Sequence, residues 1–492
     1  MSTPVPPSYL LRLSRLFIGL SLLLIAPSLA RAAHHAEPEL DQYGGWTGLK
    51  GTATGFFHLE EVDGREWFIT PEGNVFFGVA LSHMLSGETE TAATINFGRN
   101  KEKWIRDSVH KARAMGYNCA LGGASSPERN LNGFVDIALA ERIFQEEKFP
   151  YAAGVILLKH PWEFVDGEEL PDIFAPSYRE LIESRAKKVC PPIKDDPMVM
   201  GYYYGFGAFN HSDQWVNHHL SLAPNSPGRV AIVDVLADRY KNDVKALNNV
   251  YGTRHSSIAA LKTTEEFTFE KALERRNFPA IGDKLDSRRK ADFEAILSKM
   301  SNHLYSMAHT AIRRWDNNHV IFGSFIKEWA ISAQSWQAAA PFIDVVSPQH
   351  LNPSIDLNAI ADAADKPMIV SDEDFGFHYP MGKGGRYNAV ESHDARGEIY
   401  VANMKRLYAD PQIVGVSYCA CLYDQDGNTL KKNLHNGFYD FQGRSRPGLI
   451  QQVTDINAQV YKLAPKYGTK AEVEALHHKL FETWEKYELK GR

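Results

Sequence analysis

From Phe77 onward, short continuous apolar runs alternate with longer amphipathic stretches. The apolar runs are Phe77–Leu81, Asn118–Leu121, Ala153–Leu157, Met198–Tyr204, Val320–Gly323, Ile343–Ser347, Met368–Ser371 and Val414–Tyr418. Runs of this kind predict strands buried on both faces rather than half-exposed ones. Helical spacing of apolar positions follows most of them, as in Lys101–Met115, Ser177–Val189, Ala291–Trp315 and Glu398–Ala409. Buried strands alternating with helices predict an α/β fold with parallel strands. Eight such units over residues 76–450 fit a (β/α)8 TIM barrel. The longest interval, Tyr204 to Val320, holds Val230–Asn249, a Tyr251-Gly252-Thr253 turn and the charged helix from Ala291, and predicts a helical insertion after strand four. A doubly wound open sheet is the alternative. It is less favoured because no Gly-rich phosphate loop follows the first strand.

The flanks read differently. Residues 41–75 form a small β lead-in, in which Phe56–Leu59 and Trp67–Ile69 are β-rich and Asp63-Gly64 and Pro71-Glu72-Gly73 supply turns. After Pro447 the pattern is helical, and residues 451–492 read as C-terminal helices that end in the highly charged stretch Glu472–Leu489. No internal repeat is present. At the other end, Arg12 and Arg15 precede the apolar run Leu16–Ala26, and Ala30-Arg31-Ala32 offers a small-x-small cleavage site. Residues 1–32 therefore predict a secretory signal peptide, too short to span a membrane. The mature chain is expected to be soluble, secreted or periplasmic, with no later membrane span.

Composition narrows the functional classes. The chain has 492 residues, 44% hydrophobic and 23% charged, with a net charge of −6 and no long basic run. That excludes nucleic acid as the favoured partner and leaves ample length for a large core. Export permits disulfides, and four cysteines allow three pairings. Cys119, Cys419 and Cys421 nevertheless sit in apolar, strand-like runs, so buried free thiols are the better reading. Nineteen histidines show no HxH or HExxH spacing, and no metal or cofactor is expected. No G-x-S-x-G elbow supports a serine nucleophile.

In a TIM barrel, functional side chains follow the C-terminal ends of the strands. The residues there are Ser82 and His83, then Gly122-Gly123, then Lys159, His160 and Trp162. Strand four leads into Gly205–Asn210, His211 and Asp213, and strand five into Lys327, Glu328 and Trp329. Strand six leads into Gln349, His350 and Asn352. Strand seven leads into Asp372, Glu373, Asp374, His378 and Tyr379, and strand eight into Asp424, Gln425 and Asp426. Polar groups mixed with aromatic rings suit a sugar, whose hydroxyls need donors and acceptors and whose C–H face stacks on rings. Glycoside hydrolysis needs two carboxyl groups facing each other across the scissile bond. Strand seven offers three successive acids; strand four offers Gly205-Phe206-Gly207 and no acid before Asp213.

Several segments, in order, resemble a known family. They are GREWFITPEGNVFFGVALSHM, ARAMGYNCALGG, LPDIFAPSY with KDDPMVMGYYY, DRYKNDVKALNNVYGT, RRWDNNHVIFGSF, DPQIVGVSYCACLYDQDG and NLHNGFYDFQGRSRP. From Gly44 to Tyr461 the chain resembles the agarase-like glycoside hydrolases of family 50 and, more distantly, family 42 β-galactosidases. The resemblance implies a (β/α)8 barrel acting on an agar-like galactan, a retaining reaction, an acid/base Glu in an Asp-Asn-Glu triplet after strand four, and a nucleophilic Glu after strand seven. Alignment on Gly201-Tyr202-Tyr203 puts the triplet on Gly205, Phe206 and Gly207, where all three polar groups are missing. The strand-seven stretch is one or two residues longer than the family's. Counting forward from Lys366-Pro367 selects Asp372, counting back from Phe375 selects Asp374, and Glu373 lies between with the right side-chain length.

Three explanations follow. Another group replaces the acid, with Asn210-His211 as a displaced Asn-Glu and His211, Asp213 or Glu328 as donor. Alternatively, cleavage proceeds on the nucleophile alone, helped by the substrate, or the protein is a non-catalytic carbohydrate binder. The favoured assignment is Glu373 as nucleophile or base supported by Asp372 or Asp374, with His211 or Asp213 as replacement acid. His83, Trp162, Asn210, Glu328, His350, His378 and Asp424 would then bind an oligosaccharide or polysaccharide substrate.

Overall fold

In the computed structural model, the described residues are 38–86, 89–121, 134–156, 170–206, 212–269, 287–327, 333–349, 357–373, 390–425 and 436–487. Residues 1–32, read as a signal peptide, lie outside them. Leu40–Arg492 forms one unit, divided from Met1–Glu39. Among the described residues no helix is long and apolar enough to cross a membrane.

The unit begins with a four-stranded antiparallel sheet of β1 (Trp46–Lys50), β2 (His58–Val62), β3 (Arg65–Ile69) and β4 (Asn74–Phe76), in the order β1-β4-β3-β2. The Asp63-Gly64 turn closes the β2–β3 hairpin as its sequence predicts, with Val62 opposite Arg65. Arg65 is buried beneath it. Its guanidinium donates to the carbonyls of Tyr408, Ile413 and Ala464, and burial lowers its pKa to about 10. One side chain thus fastens the small sheet to the start of the last strand of the main sheet.

That main sheet is parallel. It comprises β5 (Gly78–Leu81), β6 (Tyr151–Gly154), β7 (Val199–Phe206), β8 (Val320–Lys327), β9 (Pro348–Gln349), β10 (Met368–Glu373) and β11 (Ile413–Tyr418). The order is β5-β11-β10-β9-β8-β7-β6. From β6 to β11 the strands follow sequence order without the reversal that marks a doubly wound sheet. Among the described residues seven strands form where eight are expected. Asn118–Leu121 makes only isolated parallel bridges, Cys119 to Ala80 beside β5 and Ala120 to Tyr151 in β6. In the Ile343–Ser347 run, Val346 makes one bridge, to Met368, and the ladder itself falls on Pro348-Gln349.

Helices cover this sheet for identifiable reasons. Asn100 caps the helix Lys101–Ala114 by accepting from Lys103 N at 2.9 Å, and Trp104, Ile105, Val109 and Ala112 form its buried stripe. Burying each large apolar side chain contributes roughly 1.5–3 kcal/mol. The Val230–Asn249 stretch is two helices, Pro227–Arg239 and Val244–Tyr251. Lys241 and Asn242 turn left-handed between them, and Asp243 caps the second. Asp292, buried on the helix Ser287–Arg313, gathers this insertion by accepting from Arg239, Tyr240 Oη and Tyr251 Oη. All four cysteines are buried thiols, as the apolar runs imply for Cys119, Cys419 and Cys421.

Candidate active site

Because the main sheet is parallel, β7 and β10 deliver their C-terminal ends to the same edge. Each ends in a disturbed register. Tyr202 pairs with Ile321 and Tyr203 with Gly323, so β8 holds one extra residue, Phe322; Phe206 then pairs with Phe325, so Tyr204 and Gly205 together face Ser324. Tyr204 packs on Tyr305 of the helix Ser287–Arg313, at 5.7 Å between rings, and Gly205 carries a φ of 112°. Such a backbone is open to glycine and strained for any L side chain. The first position of the aligned triplet, Gly205, therefore falls on a bulge that only glycine suits, while Gly207, aligned with the acid/base Glu, lies outside the described residues.

β10 repeats the device. Val370 pairs with Val416 and Glu373 with Tyr418, so Ser371 and Asp372 together face Ser417. Bulges of this kind re-aim side chains beside functional sites. Ser371 pins the bulge, because its hydroxyl donates to the carbonyls of Ser347 at 3.0 Å and Pro348 at 3.1 Å. Ser347 Oγ in turn donates to Phe322 O at 3.0 Å, and Ser417 Oγ meets Ser82 Oγ at 2.9 Å. Buried hydroxyls thus tie neighbouring strands together just below the acids.

Asp372 and Glu373 are the last two residues of β10, and Asp213 lies at the start of the helix Ser212–Ser221. Two turns on, His219 fixes that helix. Its Nδ1 donates to Trp215 O at 2.7 Å and its Nε2 accepts from Ile173 N at 3.3 Å. Asp172, beside it, accepts from Phe174 N and Gly228 N, both at 2.9 Å, and so joins its own segment to the helix Pro227–Arg239. Burial is the main cause that lowers the His219 pKa to about 4. His83 follows β5 and is buried. Trp162, Asn210, His211, Glu328, His350, Asp374 and His378 lie outside the described residues.

Asp424 departs from its expected role as a hydroxyl-binding group. It is fully buried, and Arg446 grips both its oxygens, at 2.8 and 2.7 Å, while Gly437 N donates to one of them. It braces the segment after β11 instead. Sequence reading missed Arg446, and also Arg396, which donates to Tyr418 Oη at 2.8 Å. Both are arginines of helix starts that pair only through tertiary contacts. Among the described residues no group of three His, Cys, Asp or Glu side chains is placed to hold a metal ion. A cavity of about 410 Å³ is lined by residues 116–118 and 147–149, which precede their strands, so it lies at the edge opposite the acids.

This is the fold of solved agarases. An agarase, AgWH50C, superposes with a TM-score of 0.66 at 16% identity, over 89% of this chain and 70% of that one. An exo-beta-agarase gives 0.65 at 17% identity, over 91% and 71%. In sequence, the chain is 22% identical to Beta-agarase B of Vibrio sp. (strain JT0107) over 511 aligned residues, 86% of this chain and 50% of that protein. It is 25% identical to Beta-agarase A of the same strain over 162 residues, 31% of this chain and 15% of that protein. It thus spans about half the length of the first relative and less of the second. No family model matches the chain. The chain is accordingly similar to agarase-like glycoside hydrolases, as its motifs imply.

Proposed function

We propose that this chain is a secreted glycoside hydrolase acting on an agar-like galactan or its oligosaccharides, with a non-standard acid/base. The observation that carries the reading is the placement of Asp372 and Glu373 at the end of β10, on the same edge as the end of β7, within the fold of solved agarases. We read the parallel sheet as a (β/α)8 barrel closed through Asn118–Leu121, since that segment bridges both outer strands. The division into a signal peptide (1–32), a β lead-in (41–75), a barrel (76–450) and C-terminal helices (451–492) belongs to the same reading, as does export.

In the mechanism proposed, Glu373 attacks or activates water at the anomeric carbon, supported by Asp372 or Asp374. Asp372 is its rival, because it shares the bulge with Ser371. Gly207, aligned with the acid/base Glu, leaves the opposite side without the usual donor, so a proton reaches the leaving oxygen from His211 or Asp213 in the segment beyond β7. An imidazole that titrates near neutrality suits that role. His83, Trp162, Asn210, Glu328, His350 and His378 would bind the sugar.

The test is incubation with agarose and a panel of agar-derived oligosaccharides, with products followed by chromatography. Slow release of short oligosaccharides is expected, reduced at least about 10²-fold in Glu373→Gln. Undiminished turnover in that variant would remove Glu373 from the mechanism. The absence of a carboxyl from Gly205-Phe206-Gly207 also favours a second reading, a carbohydrate binder without turnover. Binding of the same oligosaccharides with no product over days would select it.

A further inference from the structure

Tyr251 and Thr253, which flank the turn at Gly252 in the helical insertion, line a cleft of about 170 Å³ together with His255, Glu266–Phe269 and Arg289. Residues 266–269 alternate: Phe267 and Phe269 are buried, and Glu266 and Thr268 are exposed. Tyr251 joins the two phenylalanines in a trio of rings set edge to face, with centroids 4.9, 5.7 and 5.4 Å apart. The trio is fixed by its neighbours. Tyr251 Oη donates to Asp292 at 2.8 Å, and Arg289, 5.4 Å from the Tyr251 ring centroid, donates to Val250 O at 2.8 Å. Phe269 N donates to Asn217 Oδ1 at 2.8 Å, and Asn217 Nδ2 returns a bond to Phe269 O at 3.0 Å. Asn217 lies about 8 Å along the axis from Ser212, where the helix that follows β7 begins.

The uncommitted polar groups are Glu266, Thr268 and His255. Among the described residues the Glu266 carboxylate and the Thr268 hydroxyl form no hydrogen bond. His255 is held through Nδ1 by Glu265 at 2.8 Å, and its Nε2 is buried without a hydrogen-bond partner. Buried polar groups are normally satisfied. A hydroxyl can do this in either direction, since it both donates and accepts. A carboxylate takes hydroxyl protons in short, charge-assisted bonds. An aromatic floor with a few polar groups converging on it is the usual make-up of a small-molecule site. Size narrows the occupant. An apolar cavity of about 150 Å³ takes up a benzene ring, so this cleft admits one six-membered ring. A ring with a C–H face for the floor and hydroxyls for the rim is a pyranose.

We propose that this cleft is a second sugar-binding site, which takes one pyranose ring of the galactan. The C–H face of the ring lies on Tyr251, Phe267 and Phe269, and its hydroxyls meet Glu266, Thr268 and His255. The identity of the sugar rests on the functional reading above. Through Asn217 the cleft is fastened to the helix that begins beyond β7, on the strand edge that bears the acids. Its role is to hold substrate beside that edge, not to cleave it.

The experiment is a methyl NMR titration of threonine-labelled protein, with Thr253→Ser and Thr268→Ser to assign the two cleft signals. The probes are D-galactose, which has no glycosidic bond to lose, and sorbitol, an open-chain polyol. Galactose should move both signals saturably, and sorbitol should not. Glu266 is exposed and pairs with no described side chain, so Glu266→Ala should fold normally. In that variant the affinity read from these signals should fall about 10- to 100-fold, the range for a hydrogen bond to a charged group. Unmoved signals, an equal response to sorbitol, or an unchanged affinity in Glu266→Ala would each overturn the site. Hydrolysis of agar oligosaccharides is followed separately. Product with unmoved signals would remove the site and leave the functional reading standing, whereas saturable shifts without product would keep the site and reject the enzymatic reading.

Discussion

Gly205 of β7 and Gly323 of β8 are the two left-handed residues of a compensated register shift. Gly323, at φ 72°, follows the extra residue of β8, and Gly205, at φ 112°, belongs to the extra residue of β7. Register is lost at one and regained at the other, so the strands beneath the site stay paired while the end of β7 is reshaped. The first position of the aligned triplet is thus closed to a side chain by the backbone itself.

A side chain at Gly205 should therefore cost stability and restore nothing. Left-handed or otherwise sparse backbone costs about 1–3 kcal/mol for a non-glycine residue. Gly205→Ala and Gly205→Glu should both unfold at lower urea, by a similar free energy. Gly205→Glu should show no gain in hydrolysis of agar oligosaccharides, although it returns a carboxyl to the aligned segment. A stable, more active Gly205→Glu would mean that the bulge relaxes on substitution.

Asp424 and Arg446 give the second prediction. Asp424 is fully buried and Arg446 nearly so, with two parallel hydrogen bonds between them. Removing one partner of such a pair strands the other charge and costs about 3–5 kcal/mol. Asp424→Asn should lower stability on that scale, whereas Asp424→Leu combined with Arg446→Met should recover much of it. Urea denaturation of the wild type and these two variants checks this. A loss below about 1 kcal/mol in Asp424→Asn would show that the pair is not the brace of the segment after β11.

Much of this arrangement is legible in the chain. Continuous apolar runs place β5, β7, β8, β10 and β11 within a few residues, because a strand buried on both faces has no polar alternation to mislead. Asp63-Gly64 places a hairpin, because few dipeptides accept that turn. Other features are not local. Asn118–Leu121 is as apolar as the strands around it, yet it makes only two bridges, which its neighbours decide. Val230–Asn249 reads as one helical stretch because no Gly or Pro interrupts it, and Asn242, which tolerates left-handed backbone, is a weak mark by itself. Asp424 follows a strand like a ligand-binding residue, and only the tertiary approach of Arg446 commits it elsewhere. The extra residue of β10 has no local mark, because its location at Ser371-Asp372 depends on the pairing with β11.

Asp316 sets the acid side of stability. Burial raises its pKa, but His319, Tyr202 Oη and Asn318 N outweigh that and hold it at about 2, below the ordinary 3.8. The folded state thus binds fewer protons there than the unfolded one. Its contribution is present above about pH 4 and is lost as pH falls through about 2. Asp316→Asn should be less stable at pH 7 and should show a flatter decline between pH 4 and 2, measured by thermal melts across that range. An unchanged slope would assign acid unfolding to other carboxylates.

His219 acts in a higher window and bears directly on the segment that carries His211 and Asp213. Its Nε2 accepts from Ile173 N, so the proton sits on Nδ1 and the ring is neutral in the fold. Its pKa falls from 6.5 to about 4, chiefly through burial, so the unfolded chain binds the extra proton first. The stability it contributes is present above pH 6.5 and is lost as pH falls through about 4, on the order of 3 kcal/mol in all. His219→Gln keeps an acceptor and a donor but cannot take the charge. That variant should be less stable than the wild type at pH 7 and close to it at pH 4, where the wild type has lost its advantage. Because Asp172 and His219 hold the helix Ser212–Ser221 against Gly228, the same variant should also weaken binding of agar oligosaccharides at pH 7, with the larger effect on kcat if Asp213 or His211 donates the proton. Unchanged stability across pH 4–7 would show that the imidazole stays neutral for a reason other than the packing of these three segments.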